Sequence, residues 1–154
     1  MRLTLPLCLF LASAAPAISL SRAAAEPETR LATAASPDVV TAIQQAVERT
    51  RERFEARDAG GILAYVSERY RSGGLTKAGV RQQLLALFAL YEELRARVRV
   101  DRVEIVDDRV ELYTTGEVSG RLPLVGWVSL FTWEREPEVA RREGDFWRLF
   151  GFQD

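Results

Sequence analysis

Between Arg57 and Val80 the chain reads RDAGGILAYVSERYRSGGLTKAGV, with Tyr65 and Tyr70 on either side of one acid, Glu68. A carboxylate among phenols could abstract a proton or bind a polar group, because both residue types serve as general acids and bases. Tyr91 adds a third hydroxyl, and Trp127, Phe131 and Trp147 add ring area. These six, Tyr65, Tyr70, Tyr91, Trp127, Phe131 and Trp147, are the candidate lining of a cavity for a small apolar ligand. The same rings can equally be packed core with a hydroxyl at the rim, since aromatic side chains contribute mostly area. Glu68 lies between Ser67 and Arg69 and reads as solvated, as charged side chains generally are.

No other catalytic pattern stands out, and no catalytic residue is assigned. The chain has no His, which removes the commonest base near neutral pH and the commonest metal ligand. Ser129 has no base nearby in the sequence, and Ser72-Gly73-Gly74 is too short for a phosphate loop. Glu134, Glu136, Glu138, Glu143 and Asp145 could in principle gather around a calcium ion, but Arg135, Arg141 and Arg142 interleave with them. A solvated, self-neutralising loop is the reading, so no metal and no cofactor are expected. The row Arg95, Arg97, Arg99 alternates with Ala96, Val98 and Val100 and fits an anion site or a plain exposed strand face.

The elements that would position these residues begin after a leader. Residues 1–25 run from Arg2 through an apolar stretch, Leu3 to Ala15, to small residues before Glu26, the pattern of a secretory signal peptide. Pro6 and Pro16 interrupt the run, which is too short to span a membrane. Cys8 lies inside it rather than after it, where a lipid anchor would need it. An exported protein, periplasmic or secreted, is expected to start near Glu26. What remains is 129 residues, one domain's worth, with no Cys and 19 basic against 22 acidic residues. That net of −3 argues against nucleic acid as the main partner.

Residues 26–36 have no hydrophobic period and read as a flexible lead-in to a domain at 37–154. Ser36, Pro37 and Asp38 are an N-cap, a first-turn proline and a dipole-matched acid, and Val40, Ile43, Val47 and Phe54 recur at helical spacing. Asp58 caps a short second helix and Thr76 a third, carrying Val80, Leu84, Leu87, Phe88, Tyr91 and Leu94. From Ala96 the period is two. A phase slip before Val103 suggests a bulge, Asp107-Asp108 a turn, and Val110 to Val118 the returning strand. GWVSLFTWERE follows as a strand, EPEVARREGD as a polar connector and FWRLFGF as the last strand. Trp127, Phe131 and Trp133 are placed on one face. Large apolar residues on both faces of the final strands, Phe146, Phe150 and Phe152 against Trp147 and Leu149, predict a homodimer through the outer sheet face.

Helices followed by a meander make an α+β chain. A long helix, a short DAGGILAYVS helix, a Tyr before a glycine break, a helix opening LTKAGV and the ending GDFWRLFGF together resemble the nuclear transport factor 2-like superfamily, which includes SnoaL-like and ketosteroid-isomerase-like domains. The resemblance implies a cone-shaped fold, with three N-terminal helices packed on a curved, mostly antiparallel sheet around a cavity. It also implies that isomerases of this kind use an acid after the second helix, a Tyr on the first helix and an acid from the sheet. Here the first helix has no Tyr and the segment after the second offers only Glu68. Two readings follow: a non-catalytic binding or scaffold domain, or a cavity enzyme on a small apolar substrate. They differ in whether a carboxylate is buried in the cavity with a raised pKa, as an enzyme needs, or the cavity is lined only by apolar side chains and hydroxyls.

Overall fold

The structure is a computed structural model, and it describes residues 32–152. The proposed leader and most of the lead-in lie outside the described residues. The first helix, α1 (Pro37–Glu55), begins where Ser36 Oγ accepts from the Val39 N–H, at 3.5 Å. Its apolar stripe buries Ile43, Val47 and Phe54. α2 (Ala59–Leu63) is capped by Asp58, which accepts from Gly61 N–H at 2.8 Å, and α3 (Lys77–Leu90) by Thr76, which accepts from Gly79 N–H at 3.2 Å. α3 stops at Tyr91, so Leu94 belongs to the next strand and not to the helix. The rings of Phe54 and Phe88 meet with centroids 5.9 Å apart, joining α1 to α3. Full burial of each such side chain contributes about 1.5–3 kcal/mol.

Five strands form the main sheet in the order β1-β4-β5-β6-β7, each neighbouring pair antiparallel, with the helices on one side. They are β1 (Thr33–Ala34), β4 (Glu93–Val106), β5 (Arg109–Leu122), β6 (Gly126–Glu143) and β7 (Phe146–Leu149); β2 (Arg71–Ser72) and β3 (Leu75–Thr76) pair as a small hairpin before α3. The bulge in β4 falls between Val100 and Arg102, where the sequence phase slips. Thr33 and Ala34, read as part of a structureless lead-in, pair with Ile105 and Glu104 and cover that end of β4. Residues 65–67 run along the other edge: Ser67 N–H donates to Leu149 O at 2.9 Å and Leu149 N–H to Tyr65 O at 2.8 Å.

The largest difference from the sequence reading is β6. The stretch EPEVARREGD is not a connector; up to Glu143 it continues the strand, pairing Glu136 to Ala140 with Thr114 to Val110 and Ala140 to Glu143 with β7. Pairing on both sides outweighs a charged composition, which argues for a loop only when no partner is counted. A second correction concerns register. Val118 faces Phe131 and Ser119 faces Ser129, so Leu130 is an extra residue that shifts the phase. Trp127 and Ser129 therefore lie on the outer face, while Phe131 and Trp133 lie on the inner.

Candidate functional site

α1 lies against the inner face of the sheet, and between them is one small apolar cavity of about 20 Å³, lined by Ile43, Ala46, Val47, Thr50, Tyr65, Leu112, Ala140, Trp147, Arg148 and Leu149. A space of this size has room for about one water. Thr50 donates its hydroxyl to Ala46 O at 2.8 Å, so that polar group is engaged within the helix.

Of the six candidate lining residues, two meet at this cavity, Tyr65 and Trp147. Tyr70 is at 0% exposure within the core. Tyr91 packs on Gly120: a Cβ there would come within 2.5 Å of the ring. Trp133 uses Gly116 in the same way, and its indole N–H donates to Thr114 Oγ1 at 3.0 Å. The two glycines of β5 are the places where rings can lie flat on the strand. Phe131 is half-buried on the inner face. Trp127 is on the opposite side of the sheet under the Arg95 guanidinium, 4.0 Å from the ring centroid. Glu68 is exposed and pairs with Lys77 at 2.7 Å.

Glu138, expected in a solvated, self-neutralising loop, is instead buried in a strand. It pairs in register with Leu112, so it shares the inner face with Leu112 and Ala140, and it is 3% exposed. Burial, reinforced by the neighbouring Glu136, pushes its pKa from 4.5 up to about 8, so the carboxyl is largely neutral at pH 7. Leu112 and Ala140 flank the cavity, but Glu138 itself does not line it. The adjacent apolar pair Val139-Ala140 inside a charged run is the one sequence signal that marks this segment as a strand.

Glu143, five residues further along, has the opposite environment. It accepts from Ser67 Oγ at 2.6 Å and from the guanidiniums of Arg69 and Arg148 at 3.3 and 3.4 Å. The Ser67 hydrogen bond, followed by those from Arg69 and Arg148, holds its pKa below the usual carboxylate value. This arrangement fastens the segment after α2 to the end of β6. The outer face of β4 and β5 carries cross-strand ion pairs, Arg97 with Glu117 and Arg121 with Glu93. Phe150, expected to need a partner subunit, is 5% exposed, with the guanidiniums of Arg141 and Arg69 lying 4.3 and 5.1 Å from its ring. Among the described residues, no three His, Cys, Asp or Glu gather as a metal site, and no helix is long and apolar enough to cross a membrane.

No protein-family model matches the sequence, and no curated protein matches it. Solved structures are similar in fold. A candidate dehydratase of the nuclear transport factor 2-like family from Streptomyces avermitilis superposes with a TM-score of 0.59 at 17% identity, over 75% of this chain and 94% of that one. A candidate aromatic ring hydroxylase from Novosphingobium aromaticivorans gives 0.61 at 17%, over 76% and 87%. Bd1075 from Bdellovibrio bacteriovorus gives 0.56 at 13%, over 71% of this chain but only 38% of that longer one. Together with the strand order, these likenesses give the chain the nuclear transport factor 2-like cone fold.

Proposed function

We propose that this cone-fold domain is a non-catalytic binding or scaffold module, exported from the cell, that acts through its surface. One observation carries the reading: among the described residues, the space between α1 and the sheet is about 20 Å³, where a substrate-sized pocket would be several hundred. The same observation favours a protein partner over a small apolar ligand. Thermal melting with benzene or indole tests it. The native protein is expected to show no shift, whereas a saturable rise in melting temperature would mean the interior opens to ligands. Export rests on the leader-like residues 1–25, and N-terminal sequencing of protein recovered from its host should start near Glu26. A homodimer through the outer sheet face has support from Phe146, 53% exposed there. That support is thinner than composition alone suggests, because Phe150 is covered by its own chain. Sedimentation at micromolar concentration decides between one chain and two.

A cavity enzyme is the second reading, and Glu138 is the observation that favours it. A carboxyl kept neutral in an apolar interior can donate a hydrogen bond to a developing oxyanion. Two of the structural neighbours are candidate enzymes. If the domain turns over a small carbonyl substrate, Glu138→Gln is expected to cut the rate while melting remains cooperative. Activity unaffected by that substitution would remove Glu138 from any mechanism.

A further inference from the structure

The β5–β6 hairpin ends in Leu122-Pro123-Leu124-Val125-Gly126, with Leu122 and Gly126 as the closing pair. Leu124 is fully exposed and Val125 is 69% exposed, at the turn where β5 and β6 run one residue pair beyond the end of β4. The tip is also strained. Leu124 has φ 66°, and Val125 N–H donates to Pro123 O at 2.8 Å, a tight turn of the left-handed kind that glycine or asparagine would adopt at lower cost. Proline fixes the approach to the turn and the short hydrogen bond closes it. Two apolar side chains are therefore held away from the core by a stiff backbone.

The strand ends beneath the turn have a different composition. Trp127 is in register with Arg121 on the outer face, and the Arg95 guanidinium lies over its ring. Arg121 pairs with Glu93, and Glu92 donates its backbone N–H to Arg121 O at 3.0 Å, which brings the end of α3 and its exposed Leu90 to the same end of the fold. A convex apolar tip above a collar of Trp and Arg matches the layering of a bilayer, where acyl chains take up apolar side chains and the interface favours amphipathic rings and snorkelling cations. A protein groove would require only the tip. The collar's two arginines, Arg95 and Arg121, are balanced by Glu92 and Glu93, so the recognition is by apolar insertion and not by anionic headgroups.

From this layering we infer that the Leu124-Val125 tip inserts shallowly into a lipid surface, with Trp127 and Arg95 at the headgroup level. Two side chains bind more weakly than a myristoyl chain, whose partition is about 10⁴ M⁻¹, so the contact is reversible and needs roughly millimolar lipid. The test is flotation of the full-length processed protein with phosphatidylcholine vesicles, with and without phosphatidylglycerol, alongside quenching of tryptophan fluorescence by brominated phosphatidylcholine. Binding to both vesicle types with little dependence on salt is expected, with quenching reduced in Trp127→Phe. Leu124→Gly relieves the turn and so keeps the fold; it is expected to lower partition at least about tenfold, the loss of one buried leucine side chain. No flotation at millimolar lipid would overturn the inference. So would binding confined to anionic vesicles and lost in salt, binding unchanged in Leu124→Gly, or self-association that depends on Leu124 without any vesicle binding.

Discussion

Glu138 and Glu143 lie five residues apart on β6, and their environments drive the two carboxyls in opposite directions. Odd spacing along a strand places them on opposite faces. Glu138 is packed inward beside Leu112 and Ala140, where burial favours the neutral acid; Glu143 meets a serine hydroxyl and two guanidiniums, which favour the anion. The contrast holds for the molecule at large. The inner face is filled almost to closure, and the outer face is a solvated ladder of cross-strand pairs. The proposal of a binding module rests on the smallness of the space beside α1, about 20 Å³, and stands or falls with whether that space can open.

The sharpest way to break this contrast is to hollow the interior. Leu112→Ala removes a side chain 2% exposed beside the existing cavity and is expected to cost about 2–5 kcal/mol in urea unfolding. The same variant should gain a melting-temperature rise with benzene, because an apolar cavity of that size stays dry and takes up such molecules. A cost below about 1 kcal/mol would mean that the interior collapses or is already loose.

Next in size is the anchor at the other end of β6. Glu143→Ala leaves the Ser67 hydroxyl, in a residue 1% exposed, without its acceptor, and is expected to cost about 1–3 kcal/mol. Glu143→Gln keeps an acceptor and should retain part of that. Since the folded pKa of Glu143 is lowered, its contribution is present above the unfolded value of 4.5 and is lost as pH falls through the folded pKa.

Glu138 has the opposite sign. Its folded pKa is raised, so the folded state holds a proton that the unfolded chain releases; stability is greatest below 4.5 and declines as pH rises toward about 8. The decline cannot exceed about 1.4 kcal/mol per pH unit for one proton. Glu138→Gln is expected to flatten it, gaining up to about 3–4 kcal/mol over the wild type between pH 5 and pH 8, the most that one proton allows over that span; the buried amide costs the same at both ends and does not alter the slope. Parallel melting curves for the two proteins across pH 5–8 would show that Glu138 ionises freely.

Short-range chemistry was what the sequence disclosed most fully. Ser36, Asp58 and Thr76 each cap the helix expected of them, because a cap needs only a side-chain oxygen and an N–H three residues on. The alternation of β4 and β5, the bulge before Arg102 and the turn at Asp107-Asp108 were likewise local signals. What stayed hidden depended on partners distant in the chain. Strand pairing turned the charged run after Glu134 into β6, and the bulge at Leu130 carried Trp127 away from Phe131. Glu138 looked solvated among arginines and acids until Leu112 fixed its face. Tyr65 and Trp147 border the small space beside α1, but how little space they leave depends on packing that no spacing rule reports.

The smallest effect is expected on the outer face, and it tests the contrast most economically. Arg97 and Glu117 pair at 2.8 Å with side chains 86% and 49% exposed. Water screens such a pair, and holding two long side chains in one geometry costs entropy, so their coupling should lie near 0.2–1 kcal/mol, roughly the range of exposed pairs. A double-mutant cycle with Arg97→Ala and Glu117→Ala, run at low salt and again at about 1 M, where the Debye length shrinks to about 3 Å, measures it directly. A coupling in that range that fades with salt fits a face open to water. A coupling of about 2 kcal/mol or more that survives salt would mean the pair is desolvated. Only a covering surface can desolvate residues this exposed, and on a sheet face the simplest cover is a second copy related by a two-fold axis. In that case the coupling should also weaken on dilution as the dimer parts. The result thus separates a solvated ladder from a hidden interface, whatever the interior proves to hold.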